Sequence, residues 1–310
     1  MSHELLPSTI LLCLTYPENP YVDDYDIAEH ERHVLNEARR LAGRFGAKLE
    51  LLVVLEQYHY EYTEAQAELE GERQRRTRQA LDTLCAQVRA DGVACEAHID
   101  SGLAWYQILK HATALSADWI MVSATRSGAL ASDNTALGST ARRVVRKARQ
   151  PVLVVRSTET KPIRHVGVAV DLSEISGRLA SAGAALSEAL GASCSLVNAV
   201  DYRGEYAFAR VPGAAQKRDE YRQLVRDRAL AGMAALVPEG ASWERVVLEQ
   251  DIAVGLPAWV ERASVDLVVM GSLSRSGIAG LVIGNSAEKL LNRLTCSLLV
   301  LKPDGWSPEG

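Results

Sequence analysis

Short runs of valine, isoleucine and leucine recur along the chain. Each is followed by a longer stretch whose apolar residues fall three or four positions apart. In the second half, residues 165–170 (His-Val-Gly-Val-Ala-Val) predict a strand. Residues 173–190 predict a helix, with Leu179, Ala182, Leu186 and Leu190 at helical spacing. Further strands are expected at 194–200, 243–248, 266–270 and 297–301, and helices at 214–237, 254–263 and 285–293. Pro238-Glu-Gly240 stops the long helix. The first half follows the same order, from a strand at 9–14 to one at 152–155. Near-continuous apolar strands are buried on both faces, which implies a mostly parallel sheet between helices. The expected fold class is α/β: two tandem doubly wound, Rossmann-like domains, each a mostly parallel five-stranded sheet between helices.

The two halves also share words. Asp118-Trp-Ile-Met-Val-Ser123 returns as Asp266-Leu-Val-Val-Met-Gly271, and Gly138-Ser-Thr-Ala returns as Gly284-Asn-Ser-Ala. The offsets are nearly constant: 145 from Gly46 to Gly191, 146 from Gly138 to Gly284 and 148 from Asp118 to Asp266. That period is too long for a solenoid and fits two domains of ordinary size. The domains are expected at 1–156 and 163–303, with a polar linker between them and a tail at 304–310 in which Trp306 can dock.

Composition narrows the partners. A net charge of −5 with 24% charged residues argues against a general nucleic-acid or anionic-membrane binder. No apolar run approaches the roughly 18 residues of a membrane span. The start of the chain lacks a basic region ahead of an apolar one, so no secretory signal is expected. The five cysteines include no Cys-x-x-Cys pair and read as packed, reduced thiols of a cytoplasmic protein.

Open parallel sheets bind ligands beyond the carboxyl ends of their strands, where strand order reverses. In the second half Asp171 follows the first strand, and the loop 271–277 follows the fourth and leads to Gly284-Asn-Ser-Ala-Glu288. Asn285 and Glu288 form a capping box, and a helix start with small residues leaves N–H groups for an anion. Glycine at 271 and 284 would let the backbone approach phosphate oxygens. A plain turn and cap explain the same residues equally well.

This loop and its flanks resemble the universal stress protein family, whose nucleotide-binding members space Gly, Gly and Gly-Ser or Gly-Thr along it. Gly271 and Gly284 keep the outer spacing. The tandem layout and the closing Leu299-Val-Leu-Lys-Pro303 are similar to E-type members. The resemblance implies an adenine-nucleotide alpha hydrolase-like fold and ATP, with magnesium on its phosphates, in the second domain. It assigns the first-strand aspartate to Asp171, an adenine contact to Ala199, the residue before the first glycine to Met270, and the phosphate turn to Gly271, Gly284, Asn285 and Ser286. Ser274 stands where the middle glycine belongs, and Asn285 where the family has Ser or Thr. The first copy departs further, with Thr15 in place of the aspartate and Ser123 and Arg126 in place of two glycines. The resemblance also implies an internal pseudo-dimer whose final strands meet, and allows pairing into a homodimer.

Other groups are weaker. His30 and His33 beside Glu29 and Glu37 have metal-ligand spacing, but a solvated helix face accounts for them, and no protein metal site is expected. Tyr58, Tyr60 and Tyr62 could line a pocket of the first domain. Arg73, Arg75, Arg76 and Arg78 alternate with Glu68, Glu70, Glu72 and Asp82, as a mixed solvated face does. Arg142 and Arg143 could meet an anion. Signatures of common hydrolases, zinc proteases and phosphate loops are absent, so a binding protein is favoured over an enzyme. Two alternatives stay open: a scaffold that binds no nucleotide, which Ser274, Thr15 and Ser123 favour, and a slow ATP hydrolase that depends on Asp171.

Overall fold

The computed structural model describes residues 6–15, 27–55, 64–124, 137–156, 161–208, 213–272, 289–303 and 305–306. The chain divides into two compact units, Leu6–Pro162 and Ile163–Gly310.

In the first unit, β1 (Thr9–Leu14), β2 (Lys48–Leu55), β3 (Cys95–Ser101), β4 (Trp119–Ser123) and β5 (Val152–Val155) alternate with α1 (Glu29–Phe45), α2 (Glu64–Ala90), α3 (Ala104–Ala114) and α4 (Ser139–Lys147). The strands lie in the order β3-β2-β1-β4-β5, all parallel. The second unit repeats this with β6 (His165–Ala169), β7 (Ser193–Ala199), β8 (Glu244–Leu248), β9 (Leu267–Gly271) and β10 (Ser297–Leu301). Its order is β8-β7-β6-β9-β10, again parallel, with α5 (Ile175–Leu190), α6 (Ala214–Ala234) and α7 (Ile252–Arg262) between strands. The chain steps outward through three strands and then restarts on the other side of the first. Strand order therefore reverses between β1 and β4, and between β6 and β9, the place where open parallel sheets take ligands.

The central strands carry the cores. Ile10, Leu11 and Leu12 of β1 are wholly buried, as are Val166, Val168, Val268 and Val269 of β6 and β9. Helices cross both faces because right-handed crossovers return them there. One aspartate per unit fixes how the first strand enters. Asp118 Oδ2 accepts the backbone N–H groups of Ser8 (2.8 Å) and Thr9 (2.9 Å). Asp266 Oδ2 accepts those of Arg164 (2.8 Å) and His165 (3.0 Å). The repeated words of the sequence are thus, in part, repeated clamps.

The sequence-based boundaries shift by a few residues. The long helix α6 ends at Ala234 rather than 237, because Leu236 and Val237 bond back into a turn ahead of Pro238. A short 3-10 segment at Arg203–Phe208, unanticipated from the sequence, precedes it. Of the helix expected at 285–293, residues 289–291 are described and helical.

Candidate functional site

The mouth of the second unit rests on the carboxyl ends of β6, β7 and β9. Asp171 lies two residues past β6. Its Oδ1 accepts the Ser173 backbone N–H at 3.0 Å, the Ser173 hydroxyl, and the Ser176 hydroxyl at 3.4 Å. This is an Asx turn, in which a short carboxylate closes the chain two residues on. Leu172, in the middle, takes a φ of 60°. That conformation costs a residue with a Cβ about 1–2 kcal/mol. Leu172 is held there by packing on α6: a Cβ added at Gly232 would lie 2.8 Å from Leu172 Cδ1. The turn is thus pinned on one side by α6 and on the other by Asp171, and the carboxylate is oriented before a ligand arrives.

The neighbouring strand ends are equally fixed. Asn198 is buried, and its Nδ2 donates to the Val170 carbonyl at 2.8 Å, tying β7 to the end of β6. Ala199, the adenine-side residue of the family pattern, closes β7 opposite Leu248. Met270 is buried and pairs with Ala169 and Val300. Gly271 ends β9 opposite Leu301. A Cβ at 271 would make ordinary contacts with Ile175 Cδ1 (3.5 Å) and Leu179 Cδ1 (3.8 Å). The space beside the Gly271 Cα therefore faces α5. Ser274, Gly284, Asn285 and Ser286 lie outside the described residues.

One polar group here was not singled out from the sequence. Ser272 is fully buried, and its N–H donates to the Leu301 carbonyl at 3.1 Å. Its Oγ has no hydrogen-bond partner among the described residues. Leaving a buried hydroxyl unpaired costs about 1–3 kcal/mol. The only signal in the sequence was its place, directly after Gly271.

Behind this mouth, the Arg178 guanidinium donates to the Lys302 carbonyl at 3.0 Å, joining α5 to the end of β10. The Lys302 side chain is buried with its Nζ 4.3 Å from the centre of the Trp306 ring. Burial pushes its pKa down to about 8.

The first unit's mouth is built differently. Thr15, in the place of Asp171, is exposed. Ala124 N–H donates to the Val155 carbonyl (2.9 Å), as Ser272 does to Leu301. The Gly138 N–H at the opening of α4 donates to the Ala124 carbonyl at 3.3 Å, so it is turned to the protein's own backbone. Counted back from the left-handed glycines that end α1 and α5, Gly46 and Gly191, Glu31 occupies the place of Ser176. Both are 1% exposed. In the second unit that place holds a hydroxyl supporting Asp171; in the first it holds a carboxylate. Neither oxygen of Glu31 has a hydrogen-bond partner among the described residues, and His30 Nε2 lies 3.5 Å away. Interaction with Glu31 raises the pKa of His30 against the opposing effect of burial. A phosphate entering this mouth would meet a buried carboxyl group where the second unit has a hydroxyl.

The remaining sequence candidates are not assembled as the spacing suggested. Glu37 pairs with Arg40 at 2.6 Å, and Glu29 is exposed, 3.9 Å from His33. Glu31, on the buried stripe of α1, is the acid beside His30. Arg73, Arg75 and Arg76 pair with Glu70 and Glu72 along α2, a mixed face as expected. Lys147, at the end of α4, lies over the Trp105 ring. Arg126 and Tyr58, Tyr60 and Tyr62 lie outside the described residues. At the amino ends of β2 and β3, Glu50, Glu96 and His98 converge as a metal site would. Lys48 Nζ sits between the two carboxylates at 2.7 and 2.8 Å, so the cluster is an ion-pair network around a buried acid.

Two doubly wound units in one chain, each with a strand-order reversal, define a tandem α/β protein. The family model described as "Universal stress protein family" matches residues 25–156 and again 162–302. The chain therefore belongs to the universal stress protein family, carries two copies in tandem, and is similar to its E-type members. The universal stress protein E homolog of Haemophilus influenzae is 28% identical over 177 residues, 52% of this chain and 54% of that protein. Universal stress protein E of Escherichia coli K12 is 31% identical over 91 residues, 28% of each chain. The alignments thus span about half or less of these relatives' length. Among solved structures, a protein of unknown function from Pseudomonas aeruginosa PAO1 is 19% identical with a TM-score of 0.70, covering 98% of this chain and 95% of that one. A universal stress protein from Archaeoglobus fulgidus is 16% identical with a TM-score of 0.68, covering 95% and 98%. Both share the fold. Among the described residues, no helix is long and apolar enough to cross a membrane.

Proposed function

We propose that this tandem universal stress protein is a cytoplasmic stress-response binding protein whose second domain takes an adenine nucleotide, with magnesium carried on the phosphates. The observation that carries this reading is the buried Ser272 hydroxyl, unpartnered among the described residues, at a mouth where Asp171 is already oriented by Ser173 and Ser176. A ligand with hydroxyl and phosphate oxygens would give the Ser272 hydroxyl an acceptor beside the already oriented Asp171 carboxylate. Magnesium would neutralise the triphosphate that Asp171 otherwise repels, and the phosphates would lie against the segment of Gly284, Asn285 and Ser286. The reading is one of binding rather than turnover, because the sequence carries none of the common hydrolase, zinc-protease or phosphate-loop signatures.

The first domain is read as non-nucleotide. Thr15 removes the strand-end carboxylate, Gly138 turns its N–H inward and Glu31 places a carboxylate on the opposite wall. Titration calorimetry with Mg-ATP on the full chain tests the reading. One site per chain is expected, weakened at least tenfold by Asp171→Asn and several-fold by Ser272→Ala. Binding unchanged in both variants would remove the second mouth from the account.

A further inference from the structure

A pair of thiols outside both mouths is arranged for chemistry of its own. Cys85 lies on the inner face of α2 and Cys95 is the first residue of β3. Both are free and buried, with their sulfurs 2.8 Å apart. A disulfide needs about 2.05 Å, so a movement of less than about 1 Å joins them. The turn between the two elements sets this approach: Asp91 and Gly92 bond back to Val88 and Arg89, and Gly92 takes a φ of 81°, open to glycine. Arg89 Nε donates to the Cys95 carbonyl at 2.9 Å, holding the first residue of β3 beside α2 and placing a positive charge near the sulfurs.

We propose that Cys85 and Cys95 are a two-electron oxidation site for small hydroperoxides, closing to a disulfide that fastens α2 to the edge strand β3. This inference is independent of the nucleotide reading.

The pair is asymmetric. The hydrogen bond between the two sulfurs lowers the pKa of Cys85 against the opposing effect of burial, with help from Arg89. The same contact raises Cys95. Cys85 is therefore the nucleophile and Cys95 the resolving thiol. The Cys85 thiolate attacks one peroxide oxygen; the S–O bond forms, the O–O bond breaks, and the departing oxygen leaves as water or alcohol with a proton. Cys95 then attacks the Cys85 sulfenic acid; the S–S bond forms, the S–O bond breaks, and hydroxide leaves with the Cys95 proton as water. Two thiols lose two electrons in total, and one hydroperoxide is reduced. Both cysteines are nearly covered, so the site selects a small oxidant.

The other cysteines do not share this arrangement. Burial raises the Cys194 thiol to about 12 and raises Cys13 further. The test is hydrogen peroxide on the native full chain, followed by denaturation, alkylation and peptide mapping by mass spectrometry. The expected product is one peptide linked between Cys85 and Cys95, lost on treatment with dithiothreitol, with Cys13, Cys194 and Cys296 fully alkylated. Amide exchange across 85–95 should slow in the oxidised form. Cys85→Ser should leave Cys95 alkylatable, and Arg89→Gln should slow closure at least threefold without changing the product. The parent map decides alone if a variant misfolds. Five alkylated cysteines after peroxide that fully oxidises free glutathione would overturn the proposal. So would a link to another cysteine, or oxidation that stops on Cys85.

Discussion

The two mouths of this chain have the same frame and opposite chemistry. In each unit an aspartate before the fourth strand clamps the start of the first, and strand order reverses at the same place. Past the strand ends the units part. The second keeps a strand-end carboxylate ringed by serine donors, with a buried hydroxyl beside it. The first exposes a threonine there and buries a carboxylate in the facing helix. The frame depends on backbone hydrogen bonds and apolar burial, which many side chains satisfy. The mouth depends on a few acidic and hydroxyl groups, where one substitution changes what can bind. A duplicated fold can thus hold two different ligand preferences, or one and none.

The largest expected break in this comparison is steric. A Cβ at Gly183 of α5 would lie 2.3 Å from Val168 Cγ2, while α1 has Ala38 at the matching place. Gly183→Leu should destabilise the second unit by roughly 3 kcal/mol, the upper range for overpacking, and leave the first unit's unfolding unchanged. Thermal unfolding followed by hydrogen exchange in each unit checks this.

Next is Lys302. The first unit has Arg156 at the matching place, which stays charged, whereas burial lowers Lys302 to about 8. Between about pH 8 and its ordinary value of 10.5, the unfolded chain holds a proton that the folded chain has released. Stability from this group therefore rises with pH across that window and is lowest below it. Lys302→Met should stabilise the second unit by roughly 1–3 kcal/mol at neutral pH and remove that slope. Denaturant titrations of parent and variant at several pH values measure it.

Smaller and symmetrical effects are expected from the clamps. Asp118→Asn and Asp266→Asn should each cost roughly 1–2 kcal/mol, in the low range for charged hydrogen bonds, and each should act on its own unit. Smallest of all, Arg75→Ala breaks an exposed pair with Glu72 and should not move either melting transition measurably.

Much of the frame was legible in the sequence because hydrophobic period and repeated words report the same forces that build it. Val34, Leu35, Ala38, Leu41 and Ala42 mark the buried stripe of α1, and Glu31 lies on that stripe at helical spacing. Its burial was therefore visible, although the sequence was read only for His30, His33, Glu29 and Glu37, as a solvated face, and Glu37 is buried as well. Gly271 was read by motif; the space beside it is set by Ile175 and Leu179, which only the packed sheet reveals. The closeness of Cys85 and Cys95 depends on how a helix meets an edge strand after one turn, and no Cys-x-x-Cys spacing signals it. Asn198 looked like any strand residue until its amide reached the Val170 carbonyl.

The central claim is that one mouth of the pair takes Mg-ATP and the other does not. Its most direct test is the binding stoichiometry of Mg-ATP on the parent, on Gly284→Trp and on Gly138→Trp. The account predicts one molecule per chain for the parent and for Gly138→Trp, and none for Gly284→Trp. Two molecules on the parent, or binding that survives Gly284→Trp and fails in Gly138→Trp, would contradict it.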